Sequence, residues 1–194
     1  MKHLVLLLML VTFGMNAQDS KLVLGVEVGS HAVGDQSAVA EESFGSVGAT
    51  IRYEINPVTS AGISAGWDNL SLLSIEGERV ETNYGRIHAE LFVDVFEILQ
   101  LSNNAFTVLV HGGPGFSRIS TSNSYQDNLF SATAGVIAIT QITSKLGISL
   151  SYRNTANITQ DKTLDGMYDI SNTSVNSTVS NFSAGLVYKL GKRK

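Results

Sequence analysis

The chain of 194 residues has no cysteine and only two prolines, and charged residues make up 15% of it. Without cysteine there is no disulfide framework, thiolate metal site or lipid-bearing thiol. Closure of the fold must therefore come from the backbone and from packing. Two prolines beside 18 glycines suit close-packed strands rather than disordered linkers. The net charge is −4 and the basic residues form no stripe, which excludes nucleic acid as a partner. After residue 17 no apolar run approaches the roughly 20 residues that a membrane-crossing helix needs.

One apolar run does exist, at the start. Met1, Lys2 and His3 precede Leu4 to Phe13, followed by Gly14, Met15, Asn16, Ala17 and Gln18. A basic start, a short hydrophobic segment and a small residue at the cut site read as a signal peptide over residues 1–17. The remainder, 18–194, is the length of one domain.

Within that domain the dominant pattern has a period of two. In Tyr84 to Val95, the residues Ile87, Ala89, Leu91, Val93 and Val95 alternate with Arg86, His88, Glu90 and Asp94. A strand sends these two sets to opposite faces, whereas a helix would scatter them. The pattern recurs and predicts eight strands, over residues 21–33, 43–55, 60–69, 84–95, 105–117, 128–139, 145–153 and 178–190. Leu109, Ile137, Ile139 and Val187 break the alternation. Pro114 cannot donate to a ladder, so a strand end or bulge is expected there. The connections 34–42, 70–82, 118–127 and 154–177 are long and polar, and those after the second and sixth strands are short.

An even number of strands, with lengths near the 9–11 residues of a tilted crossing and loops long at one end, predicts an all-β, eight-stranded antiparallel transmembrane up-and-down barrel. Aromatic residues on the aliphatic faces fall into two groups. Tyr53, Phe106 and Tyr188 lie near one end, and Trp67, Phe116, Phe130, Tyr152 and Phe182 near the other. Two aromatic belts around an aliphatic band match a bilayer with its two interfaces. A soluble lipocalin-like barrel would put the bulky apolar set inside. The Gly- and Ser-rich polar set packs more easily into a narrow lumen.

The motif His111-Gly112-Gly113-Pro114-Gly115-Phe116-Ser117, the segment Leu146 to Arg153 and the closing strand Phe182 to Leu190 give the chain a resemblance to the small outer-membrane β-barrel proteins, the OmpX-like and OmpA transmembrane-domain group. The resemblance runs over the whole mature chain and rests on the succession of strands. It implies a multi-pass barrel in a bacterial outer membrane, with outer-membrane lipid, lipopolysaccharide and the barrel-assembly machinery as partners. Family members often end on an aromatic residue, whereas this chain runs on to a basic tail. No peptidoglycan-binding domain is expected.

The inward set is Glu27, His31, Arg52, Glu54, Asp68, Tyr84, Arg86, His88, Glu90, Asp94, His111, Arg153 and Lys189, of which Glu27, Arg52, Glu54, Arg86, His88, Glu90, His111 and Arg153 are the candidates for an interior network or pore lining. Both signs are present, so an interior network of ion pairs is expected, since an unpaired buried charge is costly. The first functional reading is a structural or surface-interaction barrel with a filled polar interior and long loops that hold any extracellular ligand. The second is a narrow pore lined by Glu27, Arg52, Arg86 and Glu90. The third, an envelope lipid-modifying enzyme, lacks a nucleophile–base pair in the sequence, and no enzymatic activity is expected. A metal site at His88, His111 and Glu90 is outweighed by hydrogen-bonded histidines, and no cofactor is expected.

Overall fold

A computed structural model describes residues 21–34, 38–40, 43–74, 77–101, 105–164, 166 and 177–190. The signal segment 1–17, the tail 191–194 and most of the loop after residue 166 lie outside the described residues. The strands are β1 (Leu22–Gly34), β2 (Ala38–Ala40), β3 (Ser43–Glu54), β4 (Thr59–Ser74) and β5 (Arg79–Asp94), followed by β6 (Phe106–Thr121), β7 (Gln126–Gln141), β8 (Leu146–Asn157) and β9 (Thr178–Leu190). One short helix, α1 (Val95–Ile98), follows β5.

Eight of the strands close on themselves. β1 pairs with β3 and β9, and every other strand of the ring pairs with its neighbours in sequence, all antiparallel; the β4–β5 ladder completes the circle. This is an up-and-down barrel whose ring has no free edge, which satisfies the backbone without disulfides. The ninth strand, β2, adds three residues beside the far end of β4.

The strands run further than their hydrophobic alternation suggests. Residues 70–74 and 79–83 belong to β4 and β5, and only 75–78 connect them. Likewise β6 and β7 extend through most of 118–127 and leave a tight turn at 122–125. The predicted long connections at these two places are corrected accordingly. The cause is a swap of faces. Beyond Trp67 and Phe116 the outward positions turn mostly polar (Asn69, Arg79, Glu81, Asn83, Arg118, Asn128, with Leu73 the exception), while the inward ones turn mostly apolar (Leu70, Leu72, Val80, Ile119, Leu129, with Thr82 and Thr121 among them). That is the pattern of a water-exposed barrel with an oily core, set above a section of the opposite pattern.

Pro114 also departs from expectation. It lies in mid-strand, paired opposite Ala132 of β7. The ladder to β5 lapses there instead, between His88↔Gly115 and Leu91↔Gly112, and resumes in the same register. A missing donor thus interrupts one ladder without a bulge.

At the end that carries the chain termini, Asn56 Oδ1 accepts from the backbone N–H of Val58 and Thr59. Thr143 Oγ1 does the same for Lys145 and Leu146. Asp94 caps α1, accepting from Phe96 N–H (2.9 Å) and Glu97 N–H (3.2 Å). Asp94, expected in the inward set, thus spends one carboxylate oxygen on this turn.

Candidate functional site

The lumen is built in three layers. The middle one is polar and holds most of the charged residues singled out in the sequence. Glu90 is its hub: Arg153 donates to it at 2.5 Å, and Ser64 and His111 are also bonded to it. Arg153 donates to Ser64 as well, at 2.8 Å. Above this hub Arg86 pairs with Asp68, and Asn181 donates to Asp68 (2.8 Å) and to Ser46 (3.1 Å). Both pairs are withdrawn from water. A second chain of contacts runs from His88 Nε2 to Ser131 (3.0 Å), on to Ser117 (2.9 Å) and then to the Tyr84 hydroxyl (2.8 Å), which also lies 2.9 Å from Asn157 Oδ1. Toward the terminal end Ser151 donates to Glu27 at 2.7 Å.

Register explains how long charged side chains fit so narrow a tube. Glu27 is paired with Gly48 and Gly185, Arg52 with Gly62, Glu90 with Gly62, Arg86 with Gly66, His88 with Gly115, and His111 and Arg153 with Gly135. Each of these inward side chains faces a position with no side chain. A Cβ on Gly66 would lie 2.6 Å from the Arg86 guanidinium carbon, and one on Gly48 2.7 Å from a Glu27 oxygen. The glycines are the space into which the network folds.

Two apolar layers bound this network. Toward the loops, Leu70, Leu72, Tyr84, Ile119, Leu129 and Val179 pack around Leu164, which the β8–β9 connection carries back into the mouth. Thr82 Oγ1 donates to the Leu164 carbonyl (3.1 Å) and fixes the cap from β5. Beside it Tyr125 donates to Asp127 (2.8 Å), and Lys162 stacks over the Tyr125 ring. Burial, and then the neighbouring Asp127 carboxylate, push this phenol's pKa upward. Toward the termini, Val23, Phe92, Leu109, Ile137, Ile139 and Val187 form the second layer. The breaks in alternation seen in the sequence are this layer: residues on the inward face that are greasy. Arg52 lies over the Phe92 ring at 5.7 Å, and His111 stacks on the same ring at 5.4 Å. A cavity of about 30 Å³ next to Glu27, Arg52, Thr50 and Ser149 has room for water but for no larger solute.

Of the sequence candidates, Arg86, His88, Glu90, His111 and Arg153 meet in the polar layer, while Glu27 and Arg52 sit below it. Glu54 lies apart at the rim, half-exposed, 3.8 Å from Lys189. Asp68, Ser64, Ser131 and Asn181 complete the network and join it through pairing across strands. No group of three or more metal-ligating side chains occurs among the described residues.

The outward face carries Val26, Val47, Ile63, Ile87, Leu91, Val136, Leu150 and Leu186, all exposed, between the two sets of rings. On β6, Phe106 and Phe116 stand ten residues apart; at about 3.3 Å per residue and a tilt of roughly 40° they span about 25 Å, the height of a barrel's apolar band. On β9 the rings of Phe182 and Tyr188 are closer, and Leu190 continues the apolar row.

Neither a protein-family model nor a curated protein matches the sequence. Solved structures do. Neisserial surface protein A aligns at a TM-score of 0.60 with 14% identity, over 88% of this chain and 97% of its own. A major outer membrane protein from Thermus thermophilus aligns at 0.58 with 11% identity, over 86% and 98%. The outer membrane protein OprG from Pseudomonas aeruginosa aligns at 0.54 with 7% identity, over 90% and 98%. The fold of this chain is that of the small eight-stranded outer-membrane β-barrels.

Proposed function

We propose that this protein resides in a bacterial outer membrane as a sealed barrel, exported with a cleaved signal peptide, with a structural or surface-interaction role. The loop end faces outward and the chain termini face the periplasm. The observation that carries this reading is the sandwich in the lumen. A polar layer closed on both sides by apolar clusters offers an ion no continuous hydrated path. An ion entering would have to cross two apolar clusters, the lower one with only a water-sized cavity, and displace paired charges, each step costly in a low-dielectric interior. The barrel is then a rigid stem, and recognition belongs to the strand extensions and loops above the belt. Lipopolysaccharide and outer-leaflet lipid surround the outward face, and the barrel-assembly machinery inserts it.

The pore reading loses support for the same reason. Purified protein in planar bilayers is expected to pass no steady current; a stable, ion-selective conductance would overturn the proposal. The enzyme reading is also weak. His88 and Ser131 approach as a base and a nucleophile would, but both are buried in the lumen, and among the described residues His88 Nδ1 has no carboxylate to orient it. Neither water nor lipid reaches the pair.

A further inference from the structure

We propose that residues 95–101, which open the connection from β5 to β6, are a membrane-interface anchor: α1 and Leu99 to Leu101 lie within the phospholipid leaflet on the side of the chain termini. The proposal rests on the outer-membrane reading given above.

Three aliphatic side chains crowd this turn and all point away from the protein: Ile98, Leu99 and Leu101 are 56%, 57% and 60% exposed. The only charged residue from 95 to 101 is Glu97, and it is half-buried. The other two turns of this end mix one exposed aliphatic each, Ile55 and Ile142, with exposed Asn56, Thr143 and Lys145, whereas here three aliphatic side chains stand with Gln100 as the exposed polar residue. The depth of the segment is fixed by a ring contact. Phe96 packs edge-on against Phe106, centroid to centroid 5.4 Å, and Phe106 belongs to the ring set at the terminal end of the outward face. The helix therefore sits at belt level, beside the lipid-facing band. Ile142 of the next turn, 56% exposed, extends the same surface, and Gln141 N–H donates to the Ala105 carbonyl to hold the two turns side by side.

The backbone is prepared for an apolar medium. Asp94 satisfies the first N–H groups of α1. The N–H groups of Leu99, Gln100 and Leu101 donate back to Val95, Glu97 and Phe96. A segment whose N–H groups are paired in this way and whose side chains are greasy suits the interface, where the remaining carbonyls can still meet water. Because the turn has no basic residue, the attraction is apolar and independent of salt.

Tryptophan quenching by brominated phospholipid tests this. The single native tryptophan is removed with Trp67→Phe, and Leu99→Trp or Leu91→Trp is added to the full protein in liposomes. Leu99→Trp is expected to lose most of its fluorescence to lipid brominated near the headgroup, at low and at high salt, while Leu91→Trp responds to mid-chain bromine. Quenching of Leu91→Trp without any of Leu99→Trp would overturn the anchor and leave the barrel reading standing. Absence of quenching at both positions would overturn the membrane reading and the anchor together.

Discussion

Replacing Glu90 by alanine is expected to cost the folded barrel about 3–5 kcal/mol, the usual penalty for removing one partner of a buried ion pair. The size follows from what is left behind. Arg153, His111 and Ser64 all converge on the Glu90 carboxylate, and none of them reaches bulk water. After the substitution a guanidinium remains in a closed chamber without its counter-charge. Glu90→Gln keeps an oxygen for Ser64 and Arg153 and should cost less. Adding Arg153→Ala to Glu90→Ala should recover part of the loss, since the stranded charge is gone; the two changes are then non-additive. The midpoint of urea unfolding in lipid vesicles reads all three. A Glu90→Ala midpoint equal to wild type would mean that the lumen is hydrated and the pairing incidental.

Gly62→Val is expected to be worse, and to prevent closure. Gly62 stands between Arg52 on one side and Glu90 on the other. A Cβ there would collide with the Ile51 carbonyl oxygen and approach Arg52 Cα to 2.7 Å and its Cβ to 2.8 Å. These are largely atoms of a neighbouring strand's backbone, so relief requires β3 and β4 to separate and their ladder to break. Losses above about 4 kcal/mol belong to such changes. Ala65→Val on the outward face of the same strand adds two methyl carbons where there is space, and it should fold normally. The compact species that migrates fast in unheated detergent gels reports closure. Normal migration of Gly62→Val would contradict the view that inward glycines are the room for the charges.

Much of this architecture is readable in the amino-acid order, and the parts that are not have physical reasons. Alternation in 84–95 and 145–153 identifies strands and their outward rows because a bilayer demands one fully apolar face. The same rule hides the upper strands. Once the outward row meets water it turns polar, and stretches such as Ser71 to Leu73 and Arg79 to Asn83 look like loop, although Leu72 and Val80 keep the period on the inner face. The inner plug is hidden differently. Phe92, Leu109, Ile139 and Val187 look like lapses in a pattern, and only closure shows that they meet each other. Leu164 has no local signal at all: it lies in a polar stretch, and its burial depends on a loop folding across the mouth. As for the charged set, Arg86, Glu90 and Arg153 are legible as inward, but their partners Asp68 and Ser64 follow from register, which alternation alone does not supply. The match of charge to glycine is likewise a property of register.

The central claim is that the exposed aliphatic row of each strand faces hydrocarbon. The absence of cysteine makes single-site spin labelling direct. Nitroxides placed one at a time at Leu91, Leu150, Asn83 and Asn128, in protein reconstituted into vesicles, are read by collision with oxygen and with a water-soluble nickel chelate. Labels at Leu91 and Leu150 should collide with oxygen and be hidden from nickel, while those at Asn83 and Asn128, on the same outward faces above the belt, should show the reverse. Nickel access at Leu91 and Leu150 would contradict the account.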